Sequence, residues 1–204
     1  MKVTRKPQQK RSIEKRAKIL EAAFILFCEK GFEGTNTAEI AQYAGVATGT
    51  LYSYFSDKLD IYKTVFESYL KKEVSKMLSV LECEISNKTN IYQFILLWKD
   101  SYFSLFGQPN RALNEISSVM SKVPSLNIFF SEFETEYVES IHMILKEKYN
   151  SEITFERVWI SFLIIDELSK EYASRRHKKI DYHLLEKQAI ISIETLLTNF
   201  GGEL

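Results

Sequence analysis

Residues 45 to 58 read Gly-Val-Ala-Thr-Gly-Thr-Leu-Tyr-Ser-Tyr-Phe-Ser-Asp-Lys and gather the groups on which a recognition chemistry could rest. Thr48, Thr50, Tyr52 and Tyr54 carry hydroxyls, Lys58 carries a charge, and Gly49 has no side chain. Hydroxyls and methyls can meet base edges or phosphate oxygens, an ammonium neutralises a phosphate, and glycine lets a backbone approach closely. Thr48 and Tyr52 fall on one helical face, one turn apart, with Tyr54 flanking and Lys58 behind. Covalent chemistry has no comparable foothold. The sequence contains no nucleophile elbow, glycine-rich phosphate loop or metalloprotease helix. His142, His177 and His183 form no metal-ligand spacing with carboxylates. Cys28 and Cys83 make no metal or redox pair and read as small apolar fillers in a reducing compartment. Neither an enzyme, a metal centre nor a cofactor is expected.

Charge points to the partner. Although 27 basic and 27 acidic residues cancel, residues 1–18 hold eight Lys or Arg against Glu14 alone, whereas residues 73–204 hold 14 basic and 19 acidic side chains. A basic leader on an acidic body predicts a polyanion bound at one end, the leader serving as a DNA-touching arm or as a merely solvated tail. The longest apolar run, Val158 to Ile165, contains Ser161 and is far short of the roughly 20 residues a membrane span needs. With no signal-peptide pattern either, a soluble cytoplasmic protein with no membrane partner is expected.

The elements that must position these residues are helices. Only 3 Pro and 7 Gly punctuate 204 residues that are 45% hydrophobic, and apolar residues recur at helical spacing. Ser12 as N-cap, the stripe Ile13, Ala17, Leu20, Ala23, Phe24, Phe27, Cys28 and the stop at Gly31 predict a first helix over 13–30. Thr35 or Asn36 caps a second, with Glu39 placed for a capping box, and Gly45 ends it. A third covers 48–54, and Leu51 with Phe55 pins it against the first. Phe24, Phe27, Phe32 and Phe55 are expected between these short helices. A long helix follows from Lys58 to about Leu81, then others near 91–106, 111–121, 125–149, 152–175 and 182–200.

Together with Ile19, Leu20, Ala23, Phe27, Gly31, Phe32, Ile40 and Ala41, the 45–58 stretch resembles the N-terminal helix-turn-helix domain of the TetR family of bacterial transcriptional regulators, over about residues 13 to 62. The resemblance implies an all-α fold: a three-helix DNA-binding domain with its basic arm (1–58) and a larger helical effector-binding and dimerisation domain (59–204). It assigns Tyr52, Tyr54 and Lys58 to phosphate contacts, and Thr35 and Thr50 to the same task near helix starts. Asn36 is counted with them. Thr48 and Gly49, at the first turn of the reading helix, are expected at base edges. Without the resemblance, Tyr52 and Tyr54 could equally close a small core. Two positions depart from the family pattern. Ala47 stands where a small hydroxyl residue is usual, so that Thr48 could be drawn into capping, and Leu59 stands where an acidic residue is common.

In the body, Phe94, Trp98 and Tyr102 form one aromatic stripe, Phe129, Phe133 and Tyr137 another, and Trp159 with Phe162 a third. These rings are either plain core or the lining of an effector cavity of the kind the family encloses. Asp166, inside an apolar stretch, needs a partner: a cationic or hydroxylated ligand, or an Arg or Lys across an interface. The two C-terminal helices, through Trp159, Phe162, Leu163, Ile164, Leu184, Leu185, Ile190, Ile193, Leu196 and Leu197, are expected to pair into a four-helix dimer interface. The expected function is a homodimeric repressor that leaves a pseudo-palindromic double-stranded operator when a small apolar or aromatic effector binds. Two alternatives stand beside it: a DNA-bound scaffold that recruits a protein without an effector, and an unspecific nucleic-acid-binding module.

Overall fold

The computed structural model describes residues 6–85, 89–107, 110–175 and 177–199. Among them are nine helices and no strand: α1 (Lys6–Gly34), α2 (Thr37–Tyr43), α3 (Thr48–Tyr52), α4 (Lys58–Glu84), α5 (Ile91–Phe106), α6 (Arg111–Met120), α7 (Pro124–Lys148), α8 (Phe155–Ser174) and α9 (Tyr182–Thr198). The chain is all-α, as its periodicity predicts.

α1 begins at Lys6 rather than at residue 13, so Ser12 lies inside it and caps nothing. Lys, Arg and Gln are good helix formers, and Pro7 sits in the first turn, where its missing N–H is not needed. Lys2 and Arg5 of the arm lie outside the described residues. Ile13 is 63% exposed, not part of the core. The regular helix ends where expected. Gly31 adopts φ 75°, ψ 169°, a region essentially reserved for glycine. Gly45, at the α2–α3 turn, also has positive φ, at 66°.

The described residues group into two compact units. The first comprises the chain up to Lys71 together with Arg111–Asn127. Its core is Ile19, Ala23, Leu26 and Phe27 of α1, Ile40 and Ala41 of α2, Leu51 of α3, Phe55, and Ile61, Tyr62, Val65 and Phe66 of α4. Tyr62 is the hub of the rings, 4.4 Å from Phe66, 5.0 Å from Phe27 and 5.1 Å from Phe32 between centroids. Phe24 packs on Phe66 and Tyr69 of α4 rather than among the short helices. The unit also takes in α6, which the 59–204 domain assigned from sequence had placed with the body. α6 buries Ala112, Ile116 and Val119 and packs along α1.

The second unit comprises the described residues of Lys72–Asn110 and Ile128–Leu204. Its core joins Met77 and Leu81 of α4, Phe94, Ile95, Trp98 and Tyr102 of α5, Tyr137, Val138, Ile141 and Leu145 of α7, Val158, Phe162 and Ile165 of α8, and Ile190, Ile193 and Leu197 of α9. Phe162, Ile190, Ile193 and Leu197, expected at a dimer face, are therefore interior. α8 and α9 turn another face outward, on which Ile160, Leu163, Leu184 and Ile191 are 46%, 48%, 52% and 43% exposed. Lys99, nearly buried, holds α5 to α9 through an ion pair with Glu186, which also accepts a 2.6 Å hydrogen bond from Tyr172 of α8.

Candidate nucleic-acid interface and effector core

The reading helix α3 is five residues long and opens at Ala47, which supplies no side-chain cap. Thr48 is the first helical residue, not the cap, so its hydroxyl stays available. Thr48 and Gly49 are both exposed, and a Cβ built on Gly49 would meet nothing within 4 Å. No protein group therefore occupies the space in front of Gly49.

Around this open face the neighbouring hydroxyls are braced. Tyr52, 51% exposed, hydrogen-bonds through its hydroxyl to Thr37 Oγ1 at 2.8 Å, tying α3 to the start of α2. The Tyr54 hydroxyl lies 3.0 Å from Ser12 Oγ of α1, and the Arg16 guanidinium sits 5.2 Å over the Phe55 ring. Neither tyrosine ring is buried in the small core. Thr50 is half-buried, and its carbonyl accepts a 2.6 Å hydrogen bond from Ser53. Asn36 is the N-cap of α2, its side chain accepting from the Glu39 amide at 2.9 Å. The capping box is not reciprocal, because the Glu39 carboxylate pairs with Lys30 instead.

Two residues of the expected DNA-binding set are engaged inward. Thr35 is 1% exposed. Its one hydroxyl proton is shared between Gly31 O at 2.8 Å and Leu26 O at 3.2 Å, so it closes the end of α1. The Lys58 ammonium donates to Phe32 O at 2.8 Å and Thr35 O at 3.0 Å, and lies 4.3 Å over the Phe32 ring. Sequence reasoning also missed Glu115 of α6, whose carboxylate accepts from the Phe32 amide at 2.7 Å. A separation of 83 residues leaves no local signal for that contact.

The expected effector residues divide as well. Phe94, Trp98, Tyr102, Tyr137 and Phe162 are buried in one cluster, with Trp159 half-buried against it. The Trp98 indole N–H donates to the Tyr137 hydroxyl at 2.8 Å. Phe162 stands nearly perpendicular to Tyr102 at 5.9 Å and edge-on to Tyr137 at 5.8 Å. Phe129 and Phe133 are not among the residues packed against this cluster. Phe129 stands edge-on to Phe130, the buried residue of that turn. Asp166 finds its partners within the chain, accepting from the Tyr102 hydroxyl at 2.8 Å and from Lys170, one helical turn on, at 2.6 Å. Burial and then Asp166 push the Tyr102 phenol upward. Glu134 of α7 is raised by lost hydration and then by Asp166, with Lys170 pulling the other way. Among the described residues no group of His, Cys, Asp and Glu could hold a metal ion, and no helix is long and apolar enough to cross a membrane.

Residues 19–65 match the profile of the family described as bacterial regulatory proteins, tetR family. The chain is 33% identical over 96 residues to the fatty acid metabolism regulator protein of Bacillus subtilis, the match spanning 47% of each chain. It is 31% identical over 132 residues to the transcriptional regulator QacR of Staphylococcus aureus, covering 64% of this chain and 68% of that one. The chain thus matches about half the length of the first relative and two thirds of the second. Two solved structures share the fold: a Mesorhizobium loti protein assigned to the TetR family (TM-score 0.70, 21% identity, 92% and 96% of the two chains), and FadR of B. subtilis in complex with stearoyl-CoA (TM-score 0.61, 22% identity, 91% and 99%). With its head matching the family profile and its likeness to QacR running over two thirds of that regulator, the chain belongs to the TetR family of bacterial helix-turn-helix transcriptional regulators.

Proposed function

We propose that this chain is a homodimeric repressor that binds a pseudo-palindromic operator and releases it when a small apolar or aromatic effector binds. The observation that carries the DNA-reading part is the open start of α3: Thr48 and Gly49 are exposed while the groups around them are braced. Thr48 and Gly49 then meet base edges, and Thr50, Tyr52, Tyr54 and Asn36 flank them towards phosphates. Residues 1–58 supply the basic arm and reader, which group in one unit with the start of α4 and with α6, and the rest of residues 59–204 supplies the effector and dimerisation functions. The exposed apolar face of α8 and α9 supports pairing with a second copy, which would place two reading helices about 34–36 Å apart. Such a repressor acts in the cytoplasm.

The aromatic cluster around Trp98 supports an apolar effector, and FadR of B. subtilis, solved with stearoyl-CoA, offers an apolar acyl chain as a first candidate. α4 contributes residues to both units and is the element through which an effector would act on the reader. A 100-fold loss of operator affinity requires about 2.7 kcal/mol of coupling. One observation favours the scaffold reading instead: the Trp98 N–H and Tyr102 hydroxyl already have partners within the chain, so an effector entering there must displace them. Selection of genomic fragments at physiological salt, followed by tryptophan-fluorescence titration with acyl-CoA and aromatic amphiphiles, tests both readings. A protein that prefers no duplex refutes the regulator. Ligands that bind without releasing DNA turn the assignment to the scaffold.

A further inference from the structure

Both polar groups of the Phe32 backbone bond to a side chain from another helix, the carbonyl also accepting from the Thr35 amide at 3.4 Å. The Phe32 N–H donates to the Glu115 carboxylate of α6 at 2.7 Å, and its C=O accepts from the Lys58 ammonium of α4 at 2.8 Å. Lys58 also takes the Thr35 carbonyl at 3.0 Å and lies over the Phe32 ring. Gly31 lets the carboxylate come close, since a Cβ there would lie 3.3 Å from Glu115 Oε2. From this turn the chain runs directly into Asn36, the cap of α2, and Thr37, the partner of Tyr52 on α3.

We propose that Lys58 and Glu115 are positioning residues of the reader: they grip the α1–α2 turn through the two polar backbone groups of one residue, Phe32, and so fix where α2 presents α3. Lys58 then acts through the Phe32 and Thr35 carbonyls and not as a phosphate contact. The proposal rests on the DNA-binding reading above. It makes two side chains of opposite charge work in the same direction, which simple attraction to a polyanion cannot do. If field effects ruled, removing Lys58 would weaken DNA binding and removing Glu115 would strengthen it.

The test compares Lys58→Met, Glu115→Ala and the conservative Glu115→Gln, with operator and unrelated duplexes measured across a salt series. Loss of a charge-assisted hydrogen bond is expected to lower operator affinity about 10-fold or more in both Lys58→Met and Glu115→Ala. Binding to unrelated duplex should change less than about 2-fold with its salt slope unaltered. Glu115→Gln, which keeps the acceptor, should restore discrimination. Amide exchange at Phe32, measured without DNA, should accelerate in Glu115→Ala and not in Glu115→Gln. Three results would overturn the proposal: parallel loss on both duplexes with a slope reduced by about 0.9 per Lys58 removed, tighter operator binding by Glu115→Ala, or unchanged Phe32 exchange. A wild-type protein with no duplex preference overturns the DNA reading instead, and the exchange measurement still judges the grip separately.

Discussion

Replacing Gly49 by Ala separates the demands of the fold from those of the DNA. The built Cβ meets no atom within 4 Å, and Gly49 sits in α3 with no positive φ, so the added methyl strains nothing in the free protein. Alanine is the better helix former by about 0.8–1.0 kcal/mol in a helix interior, and by less in a helix this short. For a chain of this size, 1 kcal/mol moves Tm by roughly 2–4 °C, so the variant should melt at the wild-type temperature or a few degrees higher. On the operator the same methyl occupies the space through which the backbone approaches a base. Forcing an extra methyl into a packed contact costs about 1–3 kcal/mol, which at 1.36 kcal/mol per tenfold change is roughly a 5- to 150-fold loss for each half-site. No phosphate contact is removed, so binding to unrelated DNA and its salt slope should stay as they were. Fluorescence anisotropy on operator and scrambled duplexes, with calorimetry on the free protein, reads all three quantities. Unchanged operator affinity and site preference would refute close approach at Gly49. A fall in Tm would refute the open geometry in front of it.

Three further outcomes are expected. Thr35→Val removes a buried hydroxyl that satisfies the Gly31 and Leu26 carbonyls and should cost about 1–3 kcal/mol of stability; an unchanged Tm with a flattened salt slope would return Thr35 to the phosphate contacts. Glu186→Gln should destabilise by about 2 kcal/mol at neutral pH. Burial alone would raise this carboxyl, but Lys99 and the Tyr172 hydroxyl outweigh it and hold it below its ordinary 4.5. Its contribution is therefore present above about pH 4.5 and lost as pH falls through the lower folded value, so a difference between variant and wild type that persists at pH 2–3 would refute this account. Ile160→Glu with Leu163→Glu should give monomers in sedimentation at micromolar concentration with helicity retained, and a wild-type protein already monomeric under those conditions would remove the dimer from the proposal.

The helical content, the stop at Gly31, the N-cap at Asn36 and the interior rings Phe27, Phe94 and Trp98 were legible because each depends on local periodicity or on backbone chemistry within a few residues. The exposed start of α3 was legible for a related reason, since a residue that meets solvent is defined by the absence of partners. The engaged polar groups were not legible. Thr35, Lys58 and Asp166 have the composition of surface or ligand contacts, yet each is occupied by a partner within the chain, and for Lys58 and for the Tyr102 contact of Asp166 that partner lies more than twenty residues away. Glu115 shows the same limit from the other side, an acidic residue on an amphipathic helix whose use appears only once α6 lies along α1. A side chain that attracts a phosphate is also one that caps an orphaned carbonyl, and residue type alone does not decide between these uses. What decides is whether a buried backbone group close by would otherwise be unpaired, because leaving it so costs on the order of 1–3 kcal/mol. At the Gly31 break the helix ladder is interrupted, and the carbonyls of Gly31, Phe32 and Thr35 accept from the Thr35 or Lys58 side chains, that of Phe32 also from the Thr35 amide. The same glycine that ends α1 thereby draws two of the expected DNA contacts into the protein.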